Sequence, residues 1–510
     1  MDANSLKAQT AVPNKWLIVI TIMLVAVLEV LDSTIVNVAL PAMMPSLGAN
    51  QEQVTWVLTS YVVAAAVMLP LTGFLCNRIG QKKLLLIDIA GFLMSSVLCG
   101  MASDLNVMIF FRLCQGAFGA ALIPISQSVL RQTFPLEEQG KAMAIWGLGI
   151  MVAPVLGPTL GGFITEHANW RWIFYINLPL CLIGFVMTTM FIKETKRVAQ
   201  KIDWLGIVYM FIGIGALQIF LDQGNTKNWF DSHLIVVLCI SSILAIICFI
   251  VRSSRHPHPV IKLSIFKDRN FTTCTILLAM FAAGIFGFLT LEPIMLETVF
   301  GYTALIAGIT LSPMGISSAL MMIVSAGFIQ HVSVKALIST GLALAAIGVF
   351  YMTTLGLHAA QWNFILANSF IGAGMGLFMV PLTMYSLITL PPRDITEGAG
   401  LFAYGRMLGT SIGVSLLSTL VTRETQINWN RFGGHINRFN PNLHHWLSVQ
   451  HLTLTNPKSY GMLAMTLHKS ASIVAFIDAY ILIAVVLVLL IPLVFLLKPV
   501  DMRKAQIGGH

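Results

Sequence analysis

Two carboxylates, Glu29 and Asp32, stand three residues apart inside the first long apolar stretch of the sequence, residues 16–41. About 20 apolar residues in a helix cross the hydrocarbon core of a bilayer, so this stretch is long enough to span a membrane. Residues three apart share one face of a helix. A carboxylate near the middle of such a helix costs about 2.5–3.5 kcal/mol. The pair therefore indicates a polar interior with a proton or ligand site.

The composition places the chain among polytopic membrane proteins. Its 510 residues are 57% hydrophobic and only 10% charged, and their mean hydropathy is +0.83. Soluble globular domains contain about 25% charged residues. The net charge of +9 comes from lysines and arginines that cluster in short loops between apolar stretches. That distribution is typical of cytoplasmic loops, so it predicts both termini in the cytoplasm and argues against a nucleic-acid partner.

Hydropathy predicts about fourteen membrane spans, and hence an all-α polytopic membrane protein. The predicted spans cover residues 17–40, 54–74, 84–103, 106–129, 140–164, 171–192, 204–222, 233–251, 271–297, 304–326, 335–355, 361–388, 398–421 and 472–497. The polar residues 422–470 are predicted to form a long external loop, with a short surface helix at 460–467. The histidines of this loop are His435, His444, His445, His451 and His468. Their spacing does not resemble a metal-ligand set, so we expect no metal site.

Short motifs recur between the two halves of the sequence. Gly119 lies five residues before Pro124 in the fourth predicted span, and Gly376 lies five residues before Pro381 in the twelfth. Two related six-span halves are a layout of transporters. We therefore predict an N-terminal six-helix bundle at residues 1–200, two inserted spans with a basic linker at 201–262, and a C-terminal six-helix bundle at 263–510.

Small residues occupy every fourth position of the fifth predicted span. The stripe consists of Gly149, Ala153, Gly157 and Gly161, with Gly162 beside it and with Pro154 and Pro158 between its members. Small residues at this spacing allow a neighbouring helix to approach closely, and the prolines bend the helix. The stripe is either a packing face alone or a bent seam that seals one side of a rocking transporter. The two interpretations are compatible.

Three charged residues from three predicted spans fall in one layer of the membrane. At a rise of 1.5 Å per residue, Asp32 lies about 12 Å, Arg112 about 9 Å and Glu292 about 8 Å from the outer surface. An unpaired arginine at that depth is costly, so we expect Arg112 to face Asp32 or Glu292. A movement of Arg112 or of a cationic drug relative to Asp32 would then switch the protonation state of Asp32. Glu29 and Glu292 are further candidates for proton coupling, and for Asp32 the alternative is a hydrogen bond that only orders the first span.

Polar and aromatic residues within the predicted spans are candidates for a substrate cavity. They are Asn37, Gln115, Gln127, Trp146, Asn368, Tyr404 and Arg406. For Trp146 and Tyr404 the alternative is ordinary packing. Arg406 is expected to line the cavity rather than to face lipid, because a charge exposed to lipid is expensive.

Several motifs resemble those of one transport family. Residues 31–41 resemble the first-span signature of the fourteen-span drug/proton antiporter branch of the major facilitator superfamily. Gly157-Pro158-x-x-Gly161-Gly162, with Ala153 four residues earlier, resembles its antiporter signature. Residues 73–84 resemble the cytoplasmic gate motif of the superfamily, and residues 111–119 resemble its fourth-span motif. Residues 169–177 and 266–271 are also similar to segments of this family. The chain is thus similar to EmrB-type exporters over essentially its whole length, which implies the major facilitator fold.

The gate motif departs from the family pattern. Its residues are Gly73, Asn77, Arg78, Gly80 and Lys82. Asn77 stands where the family usually has an acidic residue, and Gln81 stands where a basic residue is common. A charge pair that locks the motif to a neighbouring helix is therefore expected to be weakened. Arg78 and Lys82 can still contact backbone carbonyls at a helix end or anionic lipid.

The resemblance implies a transporter rather than an enzyme. It implies proton-coupled export of hydrophobic drugs and toxic compounds across the bacterial inner membrane by alternating access. No cofactor is expected, and the sequence has no GxxxxGK[ST] loop for ATP. The resemblance also implies a periplasmic adaptor of the EmrA type and an outer-membrane channel of the TolC type, with residues 422–470 contributing to adaptor docking. The alternatives are a proton-coupled transporter of one metabolite on the same fold and a membrane sensor that does not transport.

Overall fold

The computed structural model describes residues 15–195, 197, 203–257, 259–329, 331–391, 394–437, 439–449, 453 and 457–498. All regular structure in these residues is helical, which confirms the predicted all-α class. Fourteen described helices have 20 residues or more. They are α1 (Lys15–Leu47), α2 (Trp56–Ile79), α3 (Gln81–Gly100), α4 (Leu105–Thr133), α5 (Leu136–His167), α6 (Trp172–Phe191), α7 (Trp204–Gln223), α8 (His233–Arg255), α9 (Arg269–Thr298), α10 (Ala304–Phe328), α11 (Val334–Thr353), α12 (Gln361–Leu387), α13 (Ile395–Gly433) and α14 (Pro457–Val494).

Twelve helices in the described part of the chain are long and apolar enough to cross a membrane. The other two long helices, α5 and α13, stand where the fifth and thirteenth spans are predicted. The structure is therefore compatible with fourteen spans, and that number stays a prediction.

The same helix pairs pack together in the first six and in the last six long helices. In each set the first helix packs against the fifth and the sixth, the fourth packs against the second and the third, and the third packs against the sixth. The inserted helices α7 and α8 pack against each other, and α7 also contacts α2 and α13. The chain thus repeats one packing arrangement at an offset of eight helices.

Prolines interrupt two helices of the first set. A 3₁₀ turn at Leu69–Leu71, which contains Pro70, divides α2. In α4 the regular helix ends at Gly119 and resumes at Leu122, two residues before Pro124. Proline lacks the N–H that a continuous helix needs, so each break follows from the sequence. The break in α4 lies next to Glu29, which interacts with the backbone of Ile123.

The two sets of helices meet closely at one end of the molecule. We call it the basic end, because it carries Lys15, Lys262 and Lys498. Here a Cβ on Gly73 of α2 would collide with the backbone of Glu397 in α13. The hydroxyls of Ser128 in α4 and Thr396 in α13 are hydrogen-bonded at 2.6 Å. Close contact at this end leaves a cavity between the sets farther along the helices.

The segment predicted as a long external loop is largely helical. Helix α13 continues to Gly433, twelve residues beyond the predicted span, and α14 begins at Pro457. The predicted surface helix at 460–467 is therefore part of α14, and a short helix, Pro441–Val449, lies between the two. The rings of Trp429 and His468 are 5.8 Å apart. The two helices pack side by side beyond the apolar part, which hydropathy alone does not reveal.

Candidate functional site

Asp32 lies at the centre of a buried hydrogen-bond network inside the first set of helices. Arg112 Nη1 in α4 donates to Asp32 Oδ2 at 2.6 Å. The other carboxylate oxygen, Oδ1, accepts from Gln115 Nε2 and from Asn177 Nδ2, each at 2.8 Å. Asp32 has no exposed surface and Arg112 is 1% exposed. Both oxygens of the acid are therefore occupied, and the opposite charge stands directly beside it.

Neighbouring helices hold the Arg112 side chain in place. Its Nε donates to the carbonyl of Val57 in α2 at 3.0 Å, and its Nη1 also donates to Gln115 Oε1 at 2.7 Å. The guanidinium carbon lies 4.4 Å from the centre of the Tyr61 ring, a cation–π distance. Gly116 makes this packing possible, because a Cβ there would collide with the carbonyl of Tyr61. Sequence and packing thus fix the arginine in one orientation.

Further hydrogen bonds orient the Asn177 side-chain amide that donates to Asp32. Asn177 Nδ2 donates to Ser96 Oγ in α3 at 3.0 Å, and Ser96 Oγ donates to the carbonyl of Phe174 at 2.8 Å. The network therefore joins α1, α2, α3, α4 and α6 within the first set. A buried charge pair of this kind is neutral as a unit, and loss of either partner would leave an uncompensated charge.

Glu292 forms a separate site within the second set of helices. Asn368 Nδ2 in α12 donates to Glu292 Oε1 at 2.7 Å and to the carbonyl of Thr310 at 3.1 Å. Glu292 and Asn368 have no exposed surface. Glu292 Oε2 and Asn368 Oδ1 are both buried and have no hydrogen-bond partner among the described residues. The layer of three charges expected from helix depth is thus divided: Arg112 faces Asp32, and Glu292 faces an amide.

The two acid sites lie on corresponding pairs of helices in the repeated packing. Asp32 and Arg112 join the first and fourth helices of the first set, and Glu292 and Asn368 join the first and fourth helices of the second set. Among the described residues, the first site contains a cation, whereas the second contains a neutral amide. In that part of the chain, the repeat therefore carries one charge-paired acid and one acid without a counter-charge.

A central cavity separates the two sets of helices. Its described lining includes Val30, Ile123, Gln127, Met143, Trp146, Ile150, Phe286, Leu311, Met314, Ser318, Met322, Met375, Met379, Thr383, Phe402 and Arg406. Five of these side chains are methionines, which adapt to ligands of different shape. Arg406 is the only charged side chain in that described lining.

Three of the seven predicted cavity residues, Gln127, Trp146 and Arg406, line this cavity. The other four lie elsewhere. Gln115 and Asn368 are fully buried as partners of the two acids. Tyr404 packs against the apolar residues between the two helix sets, beside Met68 and Met407. Asn37 is exposed and donates to the Ser33 carbonyl at 3.4 Å. The direction in which each side chain leaves its helix accounts for the difference.

Glu29 faces the charge on Arg406 from the first set of helices. The two charges interact, although no ion pair of 4.0 Å or less joins these two described residues. Glu29 Oε2 is buried and has no hydrogen-bond partner in the part of the chain that the structure describes. Glu29 therefore belongs to the region of the cavity, whereas Asp32, three residues later, belongs to the sealed network within the first set.

The small-residue stripe of α5 packs against α1. A Cβ on Gly157 would collide with the side chain of Thr34, and one on Gly161 would lie 2.9 Å from the carbonyl oxygen of Ile35. Gly149 faces Met23, and Ala153 is buried. Gly162 has only an ordinary contact, 3.9 Å from Val38. The side chains of Pro154 and Pro158 lie outside the described part. The described stripe is thus a packing face within the first set of helices.

The gate motif makes contacts in two directions. Gly80 has a φ of +97°, a conformation that glycine adopts readily. After this turn, the backbone N–H groups of Lys82 and Lys83 donate to Glu194 at 3.2 Å each. Lys82 Nζ donates to the Thr189 carbonyl at the end of α6 at 2.7 Å. Asn77 is half-buried and Arg78 exposed near the end of α2. The part of the motif after Gly80 thus connects α3 to α6, whereas Gly73 at its start packs against α13.

Sequence reasoning missed several residues of these sites. Asn177, Ser96 and Tyr61 complete the Asp32 network, and a polar side chain within a predicted span is the signal that could have identified them. Asp88 gives the same signal as Asp32, since it is an acid within the apolar α3. It is 5% exposed, and no described residue forms a hydrogen bond with its Oδ2.

Comparisons with known proteins agree with the fold and with the motifs. The model of the Major Facilitator Superfamily matches residues 22–414. The chain is 36% identical over 488 residues to the fatty acid resistance protein FarB of Neisseria gonorrhoeae, covering 95% of this chain and 96% of FarB. It is 33% identical over 504 residues to the multidrug export protein EmrB of Escherichia coli strain K12, covering 97% of this chain and 98% of EmrB.

Solved structures share the fold at low sequence identity. The human organic anion transporter MFSD10 matches with a TM-score of 0.60 at 14% identity, over 93% of this chain and all of that one. A double-tryptophan mutant of XylE matches with a TM-score of 0.60 at 15% identity, over 94% of this chain and 98% of that one. With the family model matched over most of its length, the chain belongs to the major facilitator superfamily, as its motifs predict.

Proposed function

We propose that this protein exports structurally varied hydrophobic compounds across the bacterial inner membrane in exchange for protons. The N-terminal bundle α1–α6 and the C-terminal bundle α9–α14 would alternate in exposing the cavity to the two sides, with both chain termini in the cytoplasm. The names of FarB and EmrB describe resistance to fatty acids and multidrug export in those relatives. Similarity over nearly the whole length supports an export function for this chain.

One observation carries the proposal: an apolar, methionine-rich cavity between two equivalently packed sets of helices. Methionine side chains are flexible and polarizable, so they can fill the gaps around ligands of different shape. The cavity has few polar groups to select one hydrogen-bonding pattern. A site of this chemistry favours binding by shape and burial over recognition of one polar metabolite.

Asp32 and Glu292 are the acids that we assign to proton coupling. Both are fully buried in membrane helices, where an acid is functional by default. A displacement of Arg112 would leave the Asp32 charge uncompensated and favour proton uptake, and its return would favour release. One proton that enters through about 100 mV yields about 2.3 kcal/mol. For a neutral substrate exchanged one for one, that energy supports a gradient of about fifty-fold.

The helical projection formed by the end of α13, Pro441–Val449 and the start of α14 is our candidate for adaptor docking. It extends from the end opposite the basic end, which the proposed orientation puts in the periplasm. Deletion of most of residues 428–465 should abolish co-purification with an EmrA-like adaptor and leave membrane insertion intact. Unchanged co-purification would refute this assignment without touching the export function.

Proton release on substrate addition to purified protein tests the proposed function. Several unrelated hydrophobic dyes should each release protons from the wild type, and Asp32→Asn should release fewer. In proteoliposomes with an imposed proton gradient, the same dyes should accumulate only when the gradient is present. Strict selectivity for one polar nutrient would replace the multidrug assignment with a metabolite transporter. An absence of any substrate-dependent proton flux would instead favour a membrane sensor.

A further inference from the structure

We propose that the hydroxyl group of Tyr61 relays protons between Glu29, which lies in the region of the cavity, and the buried Asp32. Tyr61 would thereby complete the proton path of the proposed function, on which this inference rests. Asp32 has no exposed surface, and three side-chain donors surround its carboxylate. A proton that moves between the cavity and Asp32 therefore needs a group on its way that can both accept and donate.

The Tyr61 hydroxyl lies against the middle of α4, between the positions that contact the two acids. A Cβ on Gly119 would be 2.8 Å from the hydroxyl oxygen. Four residues before Gly119, Gln115 donates to Asp32, and four residues after it, the backbone of Ile123 interacts with the acid near the cavity. Four residues of a regular helix measure about 6 Å. The hydroxyl is therefore about midway between the two acid sites along α4.

The hydroxyl group is buried, and none of the described residues forms a hydrogen bond with it. A tyrosine hydroxyl has one proton to donate and an oxygen that accepts. Buried hydroxyls are normally hydrogen-bonded, because an unpaired one is costly. The charges of Glu29 and Asp32 both act on Tyr61, so the hydroxyl lies within the field of the two acids. Its donor and its acceptor are thus both free for proton transfer.

The position of Tyr61 depends on Arg112. The guanidinium carbon of Arg112 lies 4.4 Å from the centre of the Tyr61 ring, and Arg112 Nη1 donates to Asp32 Oδ2 at 2.6 Å. A displacement of Arg112 would therefore remove the cation beside the ring and release Asp32 Oδ2 at the same time. The hydroxyl forms no hydrogen bond with either acid in the described arrangement, so this displacement also gives it the freedom to reach them.

The transfer requires one proton and leaves the tyrosine unchanged. With Arg112 displaced, the Tyr61 O–H donates its proton to the Asp32 carboxylate, while the phenolic oxygen accepts the proton of the Glu29 carboxylic acid. One O–H bond breaks and one forms on Tyr61, which stays neutral. Asp32 becomes a carboxylic acid and Glu29 a carboxylate, whose charge faces Arg406. The return of Arg112 favours the reverse transfer.

The kinetics of proton release test the relay. The purified full chain in weakly buffered detergent would be mixed with the neutral dye Nile red, and pyranine would report the released protons in a stopped-flow instrument. Tyr61→Phe keeps the ring and removes the hydroxyl. It should slow the release at least about tenfold, because a positioned donor and acceptor is lost. The number of protons released at equilibrium should stay at the wild-type value, since a relay changes the barrier and not the end states.

Further variants separate a relay from a structural role. Gly119→Ala would push the hydroxyl away without removing it, so it should also slow the release. Glu29→Gln should slow the release, and its combination with Tyr61→Phe should add little, because the two groups act in series. Tyr351→Phe is the control and should have the wild-type rate. Tyr351 is a half-buried tyrosine of α11, and its hydroxyl contacts Asn363 instead of an acid.

Two results would overturn the relay. The first is a wild-type release rate in Tyr61→Phe or, should that variant not fold, in Gly119→Ala. The second is a smaller number of protons released by the slowed variant, because the hydroxyl would then set the proton affinity of Asp32 instead of the transfer rate. In both cases the wild type still releases protons and the proposed export function stands. If the wild type itself releases no protons with any dye, the proton-coupled function fails as well.

Discussion

Arg112 and Asp32 form a buried ion pair of 2.6 Å, whereas Glu292, the buried acid on the first helix of the second set, accepts a hydrogen bond from the amide of Asn368. The repeat thus places one acid on each of two corresponding helices, and among the described residues only Asp32 has a counter-charge beside it. Different responses to substitution are expected at the two sites, because a charge pair and an acid–amide pair lose different interactions.

The Asp32–Arg112 pair should show strong coupling in a double-mutant cycle. Arg112→Met should destabilise the protein by about 3–5 kcal/mol, because it leaves the Asp32 charge buried without a partner. The double variant Asp32→Asn/Arg112→Met should recover part of that loss. Unfolding of the purified protein in detergent measures each free energy. Simple additivity of the two single effects would contradict the ion pair.

Asn368→Asp should be strongly destabilising, because it would place a second carboxyl group against Glu292 in a site where no described residue supplies a cation. Two adjacent carboxylates cannot both be charged at low cost. Glu292→Gln in the same chain should restore stability, since an amide can again donate to a carboxylate. Thermal unfolding measures both effects. Asn363→Asp, a half-buried position on the same helix, is the control and should change the melting temperature little.

The neighbouring glycines Gly161 and Gly162 should respond differently to alanine. A methyl group on Gly161 would lie 2.9 Å from the Ile35 carbonyl oxygen and force α1 and α5 apart, at a cost of about 1–3 kcal/mol. A methyl group on Gly162 would meet Val38 at 3.9 Å, so alanine there should be neutral or stabilise by up to about 1 kcal/mol. Melting temperatures of the two variants provide the comparison. Equal losses would show that the α1–α5 approach is not the cause.

Asp88→Asn should stabilise the protein. The carboxyl group is buried in α3, and its Oδ2 has no hydrogen-bond partner among the described residues. A charge in that position is expensive, and an amide of nearly the same shape carries none. An increase in melting temperature without loss of dye export is expected. A loss of export with an intact fold would instead place Asp88 in the transport cycle.

Carboxylate export should be more electrogenic than export of a neutral compound. Exchange of one proton for a neutral molecule moves one charge across the membrane, whereas exchange for a monoanion moves two in the same electrical direction. The driving energy at about 100 mV would rise from about 2.3 to about 4.6 kcal/mol. Pyrenebutanoate and pyrenebutanamide have the same apolar body, but only the first is charged. Their transport currents in proteoliposomes, normalised to flux, should differ about twofold. Equal charge per molecule would contradict one-for-one exchange of a proton for the anion.

The sequence predicted the helical class and the family because apolar length and short motifs carry that information locally. It also identified Asp32 and Glu292, since an acid in an apolar stretch is visible without a structure. It did not choose between Asp32 and Glu292 as the partner of Arg112. That choice depends on the rotation of each helix about its axis, which only the packing of several helices determines.

The dependence on helix rotation and packing also explains why the predicted cavity residues and the predicted external loop differ from the structure. Gln115 and Asn368 are polar residues within spans, as Gln127 is, yet they bind buried acids because they leave their helices in other directions. Helix α13 extends past its apolar part because it packs on α14, and no local hydropathy signal marks that contact. Pairwise contacts between distant segments were thus the missing information.

The length of α13 has a mechanical consequence. Its 39 residues, as a helix, measure about 58 Å, nearly twice the thickness of about 30 Å of a hydrocarbon core. The helix begins at the basic end and packs against α9 and α14, so its outer part is a rigid arm of the second helix set. Any rocking of that set would be amplified at the tip of the arm. A protein bound there would be pushed sideways once in every transport cycle.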